Sequence, residues 1–164
     1  MSGLHALLRI AVGADPAGRQ YASTLTGDLC AHPLVDFVID VNDSGDPPPA
    51  YPEVALAAAQ LVAEGLADRA LLVCHTGLGM AIAANKVHGI RAVTAHDLLS
   101  VQASVECNNA QVLTLGQGVV GITAARRLVA AWVTFRCDFT APAAAKVSVI
   151  TEYENRASRP AATR

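Results

Sequence analysis

The sequence predicts an α/β domain built on a five-stranded, mainly parallel sheet with helices on both faces, the doubly wound arrangement. Three observations carry this. Five short runs of Val, Ile, Leu and Ala recur along the 164 residues, each the length of a buried strand. Between them lie alanine-rich or amphipathic segments long enough to be helices. Apolar residues make up 52% of the chain and aromatic residues only 4%, and small side chains suit helices packed closely on a buried sheet.

Residues 7–13 read as the first strand, residues 14–18 as a turn, and the segment to about Leu29 as a helix. Residues 35–41 form the second strand. A loop with three consecutive prolines follows, and Tyr51 then opens a helix to about Glu64, with Pro52 suited to its first turn. Residues 70–73 are the third strand, which stops at a turn beginning with Cys74, and an alanine-rich helix continues to Lys86. Residues 90–94 are the fourth strand and residues 96–106 a helix. Residues 111–115 are the fifth strand. Residues 122–135 make an amphipathic helix with Arg126 and Arg127 on its wet side. Residues 147–153 extend a helix or pack on a neighbouring subunit, and residues 155–164 are a polar, frayed tail.

Composition narrows the function. A formal net charge of -2 gives no basic field, which argues against nucleic acid as a partner. Cys30, Cys74, Cys107 and Cys137 are scattered, without a CxxC pair or zinc-like spacing. Free thiols in a reducing compartment are therefore expected, and no metal. Residues 1–8 are too short and too weakly apolar for a signal peptide, and no run reaches membrane-spanning length. The expectation is a cytoplasmic protein with no membrane partner. The first turn, Gly13-Ala14-Asp15-Pro16-Ala17-Gly18, is not GxGxxG, and no Walker A sequence occurs, which disfavours dinucleotide and nucleotide cofactors. No cofactor is expected.

The most informative stretch runs from Leu71 to Lys86: an apolar strand stops at Cys74-His75-Thr76-Gly77-Leu78-Gly79 and continues as a helix. The turn gathers a thiol, a hydroxyl and free backbone N–H groups at one point. Such N–H groups and the helix dipole favour anions, and the same field favours thiolate over thiol. A base beside an anion cradle suits proton abstraction next to a carbonyl, where an enediolate must be stabilised. The competing reading of Cys74 is a small core residue at a strand end. In doubly wound sheets the ligand site lies beyond the carboxyl ends of the strands, so Asp15, Cys74, His96-Asp97 and Asn108 are expected to converge there. For His96-Asp97, capping of the next helix by Asp97 is a sufficient explanation. His5, His32 and His88 read as surface residues, and Cys30 and Cys137 as buried or half-buried thiols.

Taken together, several motifs resemble the ribose-5-phosphate isomerase B family, which includes the subunits of galactose-6-phosphate isomerase. They are residues 10–15 (Ile-Ala-Val-Gly-Ala-Asp), Tyr51-Pro52, Ala67-Asp68-Arg69 leading into Val73-Cys74, and Thr76-Gly77-Leu78-Gly79-Met80 with Ala83-Ala84-Asn85-Lys86. Gly89-Ile90-Arg91-Ala92, His96-Asp97, Asn108-Asn109-Ala110 and Val119-Val120-Gly121 complete the set. The resemblance covers Arg9 to about Ile150. It implies a Rossmann-like α/β/α sandwich, a single isomerase domain over residues 1–150, and a partly disordered C-terminal extension over residues 151–164. It also implies a homodimer or homotetramer whose active sites are shared between subunits, with no metal. Carried over, Cys74 is the base that moves a proton between C1 and C2 of an aldose–ketose pair. Thr76 and the N–H groups of Gly77 to Gly79 hold the enediolate oxygen. Asp15 binds a sugar hydroxyl, Asn108 contacts substrate from the partner subunit, and Asn85 braces the turn.

The chain departs from the family pattern where Pro16 and Cys107 replace histidines, the second of which is assigned to opening a furanose ring. A cysteine is a poorer proton shuttle than imidazole at neutral pH. A tetrulose or tetrose 4-phosphate needs no such step, and the D-erythrulose-4-phosphate isomerases of the family likewise lack these histidines. Gly118 stands where an arginine is usual, and Lys146 is the one tail charge in register with two further arginines; Arg136, Arg126 or Arg127 could substitute, though the last two read as solvated helix charges, so a neutral sugar stays open as a substrate. His75 replaces a glycine and either contacts substrate or faces a subunit contact. The leading expectation is an isomerase of a short or open-chain sugar phosphate. The alternatives are ribose 5-phosphate/ribulose 5-phosphate isomerisation and a catalytically silent sugar-binding subunit.

Overall fold

Strand and helix alternate through the chain because apolar runs of strand length are each followed by segments with one apolar face. The computed structural model describes residues 6–42, 47–140 and 142–158. In order, the elements are β1 (Leu8–Ala14), α1 (Arg19–Cys30), β2 (Val35–Asp40), α2 (Tyr51–Ala63), β3 (Arg69–Cys74), α3 (Leu78–Ala84), β4 (Ala92–Thr94), α4 (Leu98–Glu106), β5 (Val112–Gly116), α5 (Ile122–Trp132) and α6 (Pro142–Ala157). The strands form one sheet in the order β2-β1-β3-β5-β4. Every pairing is parallel, so the sheet is wholly rather than mainly parallel.

The central strands are apolar but for Arg69 and Thr114 because helices cover both faces. Every residue of β3 and β5 is buried, whereas edge strand β2 leaves Asp36, Phe37 and Asp40 exposed. Alternate residues of β3 feed two cores. Leu71 and Val73 join Leu25, Leu29, Leu113, Leu115 and Trp132 under α1 and α5. Ala70, Leu72 and Cys74 join Ala55, Ala58, Met80 and Ala84 under α2 and α3, where alanine allows the two helices to lie close to the sheet.

Arg69 opens β3 and is buried. Its guanidinium donates to the carbonyls of Trp132 and Phe135 and lies 5.3 Å from the Trp132 ring centre. A cation there satisfies carbonyls left open at the end of α5. Burial, reinforced by the Arg136 charge, pushes Arg69 down to about 10.

Several elements differ from the sequence expectation for local reasons. α4 begins at Leu98, not His96, because Asp97 is its N-cap and accepts the Ser100 N–H at 2.8 Å. α6 is one continuous helix through Ala157, so residues 155–157 are helical, not frayed. Glu154 ties this helix down by accepting the Gly89 N–H at 2.8 Å. Residues 159–164 of the expected tail lie outside the described residues. Arg126 is exposed but not merely solvated, since it pairs with Asp28 at 2.7 Å and joins α5 to α1. Cys30 is exposed at the end of α1, and Cys137 is half-buried. Among the described residues no helix is long and apolar enough to cross a membrane, and no cluster of His, Cys, Asp and Glu could hold a metal.

β1 lies between β2 and β3, so the chain leaves its carboxyl end in one direction and returns on the other side. A switch point of this kind places a ligand crevice beyond the carboxyl ends of β1 and β3. Gly18, in the turn after β1, presses its backbone on the end of β3: a Cβ there would lie 2.1 Å from the Val73 carbonyl oxygen. Gly18→Ala is expected to push the turn off the strand and destabilise the fold by about 1–3 kcal/mol. Thermal denaturation checks this, and an unchanged melting temperature would mean that the close approach does not constrain the crevice.

Candidate active site

Cys74 is the last residue of β3 and only 5% exposed. Its sulfur accepts the Gly77 N–H at 3.1 Å. The contact requires a left-handed residue at position 77, where φ is +82°, a conformation open to glycine. Space reinforces the requirement, because a Cβ on Gly77 would lie 3.0 Å from Thr94 Cγ2 and 3.2 Å from Thr114 Oγ1. Thr76 is half-buried, and its hydroxyl oxygen accepts the Leu78 N–H at 3.4 Å. The Gly77 N–H is therefore engaged by sulfur and is not open to a substrate oxygen, which corrects the expectation that Gly77 to Gly79 act as one cradle. Gly79 instead admits the Tyr51 ring, which a Cβ there would meet at 2.6 Å.

Asp15 enters the same crevice from the turn after β1, with one carboxylate oxygen accepting the Gly18 N–H at 3.0 Å. The other wall comes from β5. Gly116 is the register partner of Cys74, and beyond it the ladder continues into the loop: Gln117 N–H donates to the Cys74 carbonyl and Gly118 N–H to the His75 carbonyl, both at 2.8 Å. His75 is exposed, and its imidazole lies against Gly118, where an added Cβ would sit 2.3 Å from Cε1. The Gly116 N–H donates to His96 Nε2 at 2.9 Å, which places the imidazole proton on Nδ1.

The remaining predicted residues lie elsewhere. Cys107 caps the end of α4 and is exposed, as is Asn108. The backbone carbonyls of Asn108 and Asn109 accept from Arg91 Nε at 3.1 and 3.0 Å. Because α4 starts after β4 and returns to the start of β5, these residues sit at the amino edge of the sheet. The two edges are about 17 Å apart, the height of a five-residue strand. Within one chain Asn108 therefore lies at the opposite edge of the sheet from Cys74. Lys146 is exposed on α6, and its neighbour Val147 lines a cavity with Arg91, Asn109 and Cys137, which puts Lys146 on the same side as Asn108.

Asp15, Cys74, His75, Thr76, Gly77 and Gly79 therefore share one edge, and Cys107, Asn108 and Lys146 the other. Asn85 braces β4, with its amide bonded at 2.8 Å to both the N–H and the carbonyl of Ala92. His32 is half-buried and His88 exposed, while His5 lies outside the described residues. The sequence reading missed His96 as a bracket for Gly116, Tyr51 as a lid on Gly79, and the hydroxyls of Thr94 and Thr114. Thr114 carried a usable signal, since a polar residue inside Val-Leu-Thr-Leu must find a buried partner.

Burial lowers His96 below the ordinary imidazole value, against a smaller upward pull from Asp97. The neutral ring is thus the folded state's form, and only the neutral Nε2 accepts the Gly116 N–H. The stability it contributes is full above the unfolded-state value and is lost as pH falls through the lower folded-state value. His96→Gln, which keeps an acceptor but does not titrate, is expected to flatten the fall in melting temperature between about pH 7 and about pH 5. A profile parallel to that of the parent chain would remove His96 from the acid response.

Comparison with known proteins follows the same lines. The profile of the family described as Ribose/Galactose Isomerase matches residues 10–150. D-erythrulose-4-phosphate isomerase 2 of Mycolicibacterium smegmatis is 55% identical over 148 residues, spanning 90% of this chain and 97% of that protein. Ribose-5-phosphate isomerase B of Escherichia coli is 39% identical over 127 residues, 76% of this chain and 82% of that one. The structure of Leishmania infantum type B ribose 5-phosphate isomerase superposes with a TM-score of 0.86 at 30% identity, covering 92% of this chain and 99% of the other. With its sheet order, its crevice and its Cys74 turn all on the matched segment, the chain belongs to the ribose/galactose isomerase family.

Proposed function

We propose that this protein is an aldose–ketose isomerase of a short, open-chain sugar phosphate, of the tetrulose 4-phosphate kind, with Cys74 as its base. The observation that carries the proposal is the buried Cys74 sulfur held by the Gly77 N–H at 3.1 Å in the crevice at the switch point, beside Thr76 and Asp15. The thiolate takes the proton from the carbon next to the substrate carbonyl, and the freed electron pair forms the enediolate double bond. Thr76, whose oxygen accepts from Leu78, keeps its own proton to donate to the enediolate oxygen. The Cys74 thiol then returns the proton to the adjacent carbon while the hydroxyl proton changes oxygen. Asp15 keeps one carboxylate oxygen for a sugar hydroxyl, and His75 contacts the distal end. The 55% identity to a D-erythrulose-4-phosphate isomerase supports a four-carbon substrate, as does Cys107 in place of a ring-opening imidazole.

The second reading, ribose 5-phosphate/ribulose 5-phosphate isomerisation, draws on the resemblance to the Leishmania enzyme. Deuterium wash-in from D2O, followed by NMR, separates the two. Exchange and turnover are expected with D-erythrulose 4-phosphate, and Cys74→Ala is expected to reduce both by roughly a hundredfold or more. Undiminished exchange in Cys74→Ala would eliminate the base assignment. Turnover confined to ribulose 5-phosphate would favour the second reading, and no exchange with either substrate the silent-subunit alternative.

We further propose that the working unit is a homodimer or larger homo-oligomer in which Cys107, Asn108 and Lys146 of one subunit complete the Cys74 crevice of another. The 17 Å division of the site, about one strand height, supports this. So do exposed apolar side chains on α3 and α4: Leu78 is 58% exposed, Ile82 64% and Leu99 77%, the kind of surface that a partner subunit covers. Mixing inactive Cys74→Ala with inactive Asn108→Ala chains is expected to restore activity, because one hybrid site then has both residues intact. Absence of recovery after verified subunit exchange would count against shared sites.

A further inference from the structure

Two hydroxyl groups lie beneath the Cys74 turn and take no part in the chemistry proposed above. Thr94 and Thr114 are register partners on β4 and β5, and their Oγ1 atoms are 2.7 Å apart. Thr114 is fully buried. A hydroxyl in such a place is costly unless bonded, and the shortest bonds here converge on one oxygen. Thr114 Oγ1 lies 2.9 Å from the Gly77 carbonyl oxygen and Thr94 Oγ1 3.2 Å from the same atom, while the Val93 carbonyl is farther from Thr114, at 3.3 Å. Each hydroxyl has one proton to give. The two shortest contacts are both satisfied when Thr94 donates to Thr114 and Thr114 donates to Gly77. The Gly77 carbonyl already accepts the Ala81 N–H at 3.2 Å, so the helix itself does not need the threonines to satisfy that oxygen.

We propose that Thr114 and, through it, Thr94 are positioning residues for the cysteine, holding the Gly77 carbonyl from the sheet so that the Gly77 N–H stays on the Cys74 sulfur. The amide and carbonyl of Gly77 flank one Cα, and φ +82° with ψ -20° fixes one relative to the other. Holding the carbonyl therefore holds the N–H. The same two side chains wall the turn, since they supply two of the three nearest atoms to a Cβ placed on Gly77. The Gly77 N–H donates to the Cys74 sulfur, so a turn free to swing would leave the sulfur without that bond and out of place for the substrate. The inference rests on the reading of Cys74 as the base.

Thr114→Val in the full-length chain is the test, with Thr114→Ser and Thr94→Val beside it. Valine keeps the shape and removes the proton; serine restores the proton. Thr114→Val is expected to lower kcat on the order of ten- to a hundredfold with little change in KM, with Thr94→Val shifting the same way by less. Thr114→Ser is expected to recover most of the loss. Alkylation of Cys74 by iodoacetamide at fixed pH, read at the Cys74 peptide by mass spectrometry, is expected to slow in Thr114→Val. Unchanged kcat and unchanged alkylation would overturn the proposal, as would a serine variant no better than valine. Faster alkylation would also overturn it, because that reports a loosened, more accessible turn. If Cys74→Ala itself retained activity, the base reading would fail, whereas the alkylation comparison would still judge the grip of the threonines on the sulfur.

Discussion

Backbone lying directly on backbone at the carboxyl edge of the sheet is the constraint on which the crevice depends. At Gly18 a turn rests on the Val73 carbonyl, and at Gly116 a strand end rests on the backbone of Thr76, where an added Cβ would approach within 2.6 Å. Gly77 is walled by Leu115 and two threonines. Absence of a side chain at these places lets three connections converge on the end of β3. Polar satisfaction follows from that convergence. The β3–β5 ladder runs past its last paired residues through Gln117 and Gly118, so the loop after β5 behaves as a continuation of the sheet. The thiol, the Thr76 hydroxyl and the Asp15 carboxylate are thereby carried on segments fixed by main-chain bonds, which hold geometry more tightly than side-chain packing alone.

The second constraint is the direction of α4. A helix that follows one parallel strand must return to the opposite edge before the next can begin. Residues at its end are separated from the crevice by the height of the sheet, whatever their chemistry. Adjacency in a list of motifs therefore says nothing about adjacency in space: His96 begins the excursion near Cys74 and Asn108 ends it across the sheet. The same topology places Arg91 where its guanidinium can hold the Asn108 and Asn109 carbonyls, and Asn109 takes a positive φ of 48° there.

The existence of the strands was legible because β3 and β5 are apolar but for Arg69 and Thr114, close to the continuous runs of strands buried on both faces. The Cys74 turn was legible because two glycines flank a leucine where an apolar run stops. The expected start of α4 lies two residues early, although the sequence marks Asp97 as its cap, because a helix begins only after the residue whose side chain caps it. The α6 helix runs past the expected residues 147–153 at both ends, although its alanine-rich start favours helix, because no regular apolar face marks where it begins and stops. Nothing local to residues 155–157 discloses that Glu154 is anchored to Gly89, 65 positions away. Contacts such as His96 to Gly116 and Thr114 to Gly77 likewise depend on strand order, which periodicity does not encode.

The packing of His75 on Gly118 has a consequence for how this protein can change. The imidazole occupies the volume in which any side chain at position 118 would start, so a residue larger than glycine there requires the exposed His75 ring to turn to another rotamer. The two positions are therefore coupled: what is gained or lost at 118 depends on what stands at 75. Paired libraries at 75 and 118 would expose that coupling, which libraries at either position alone pass over.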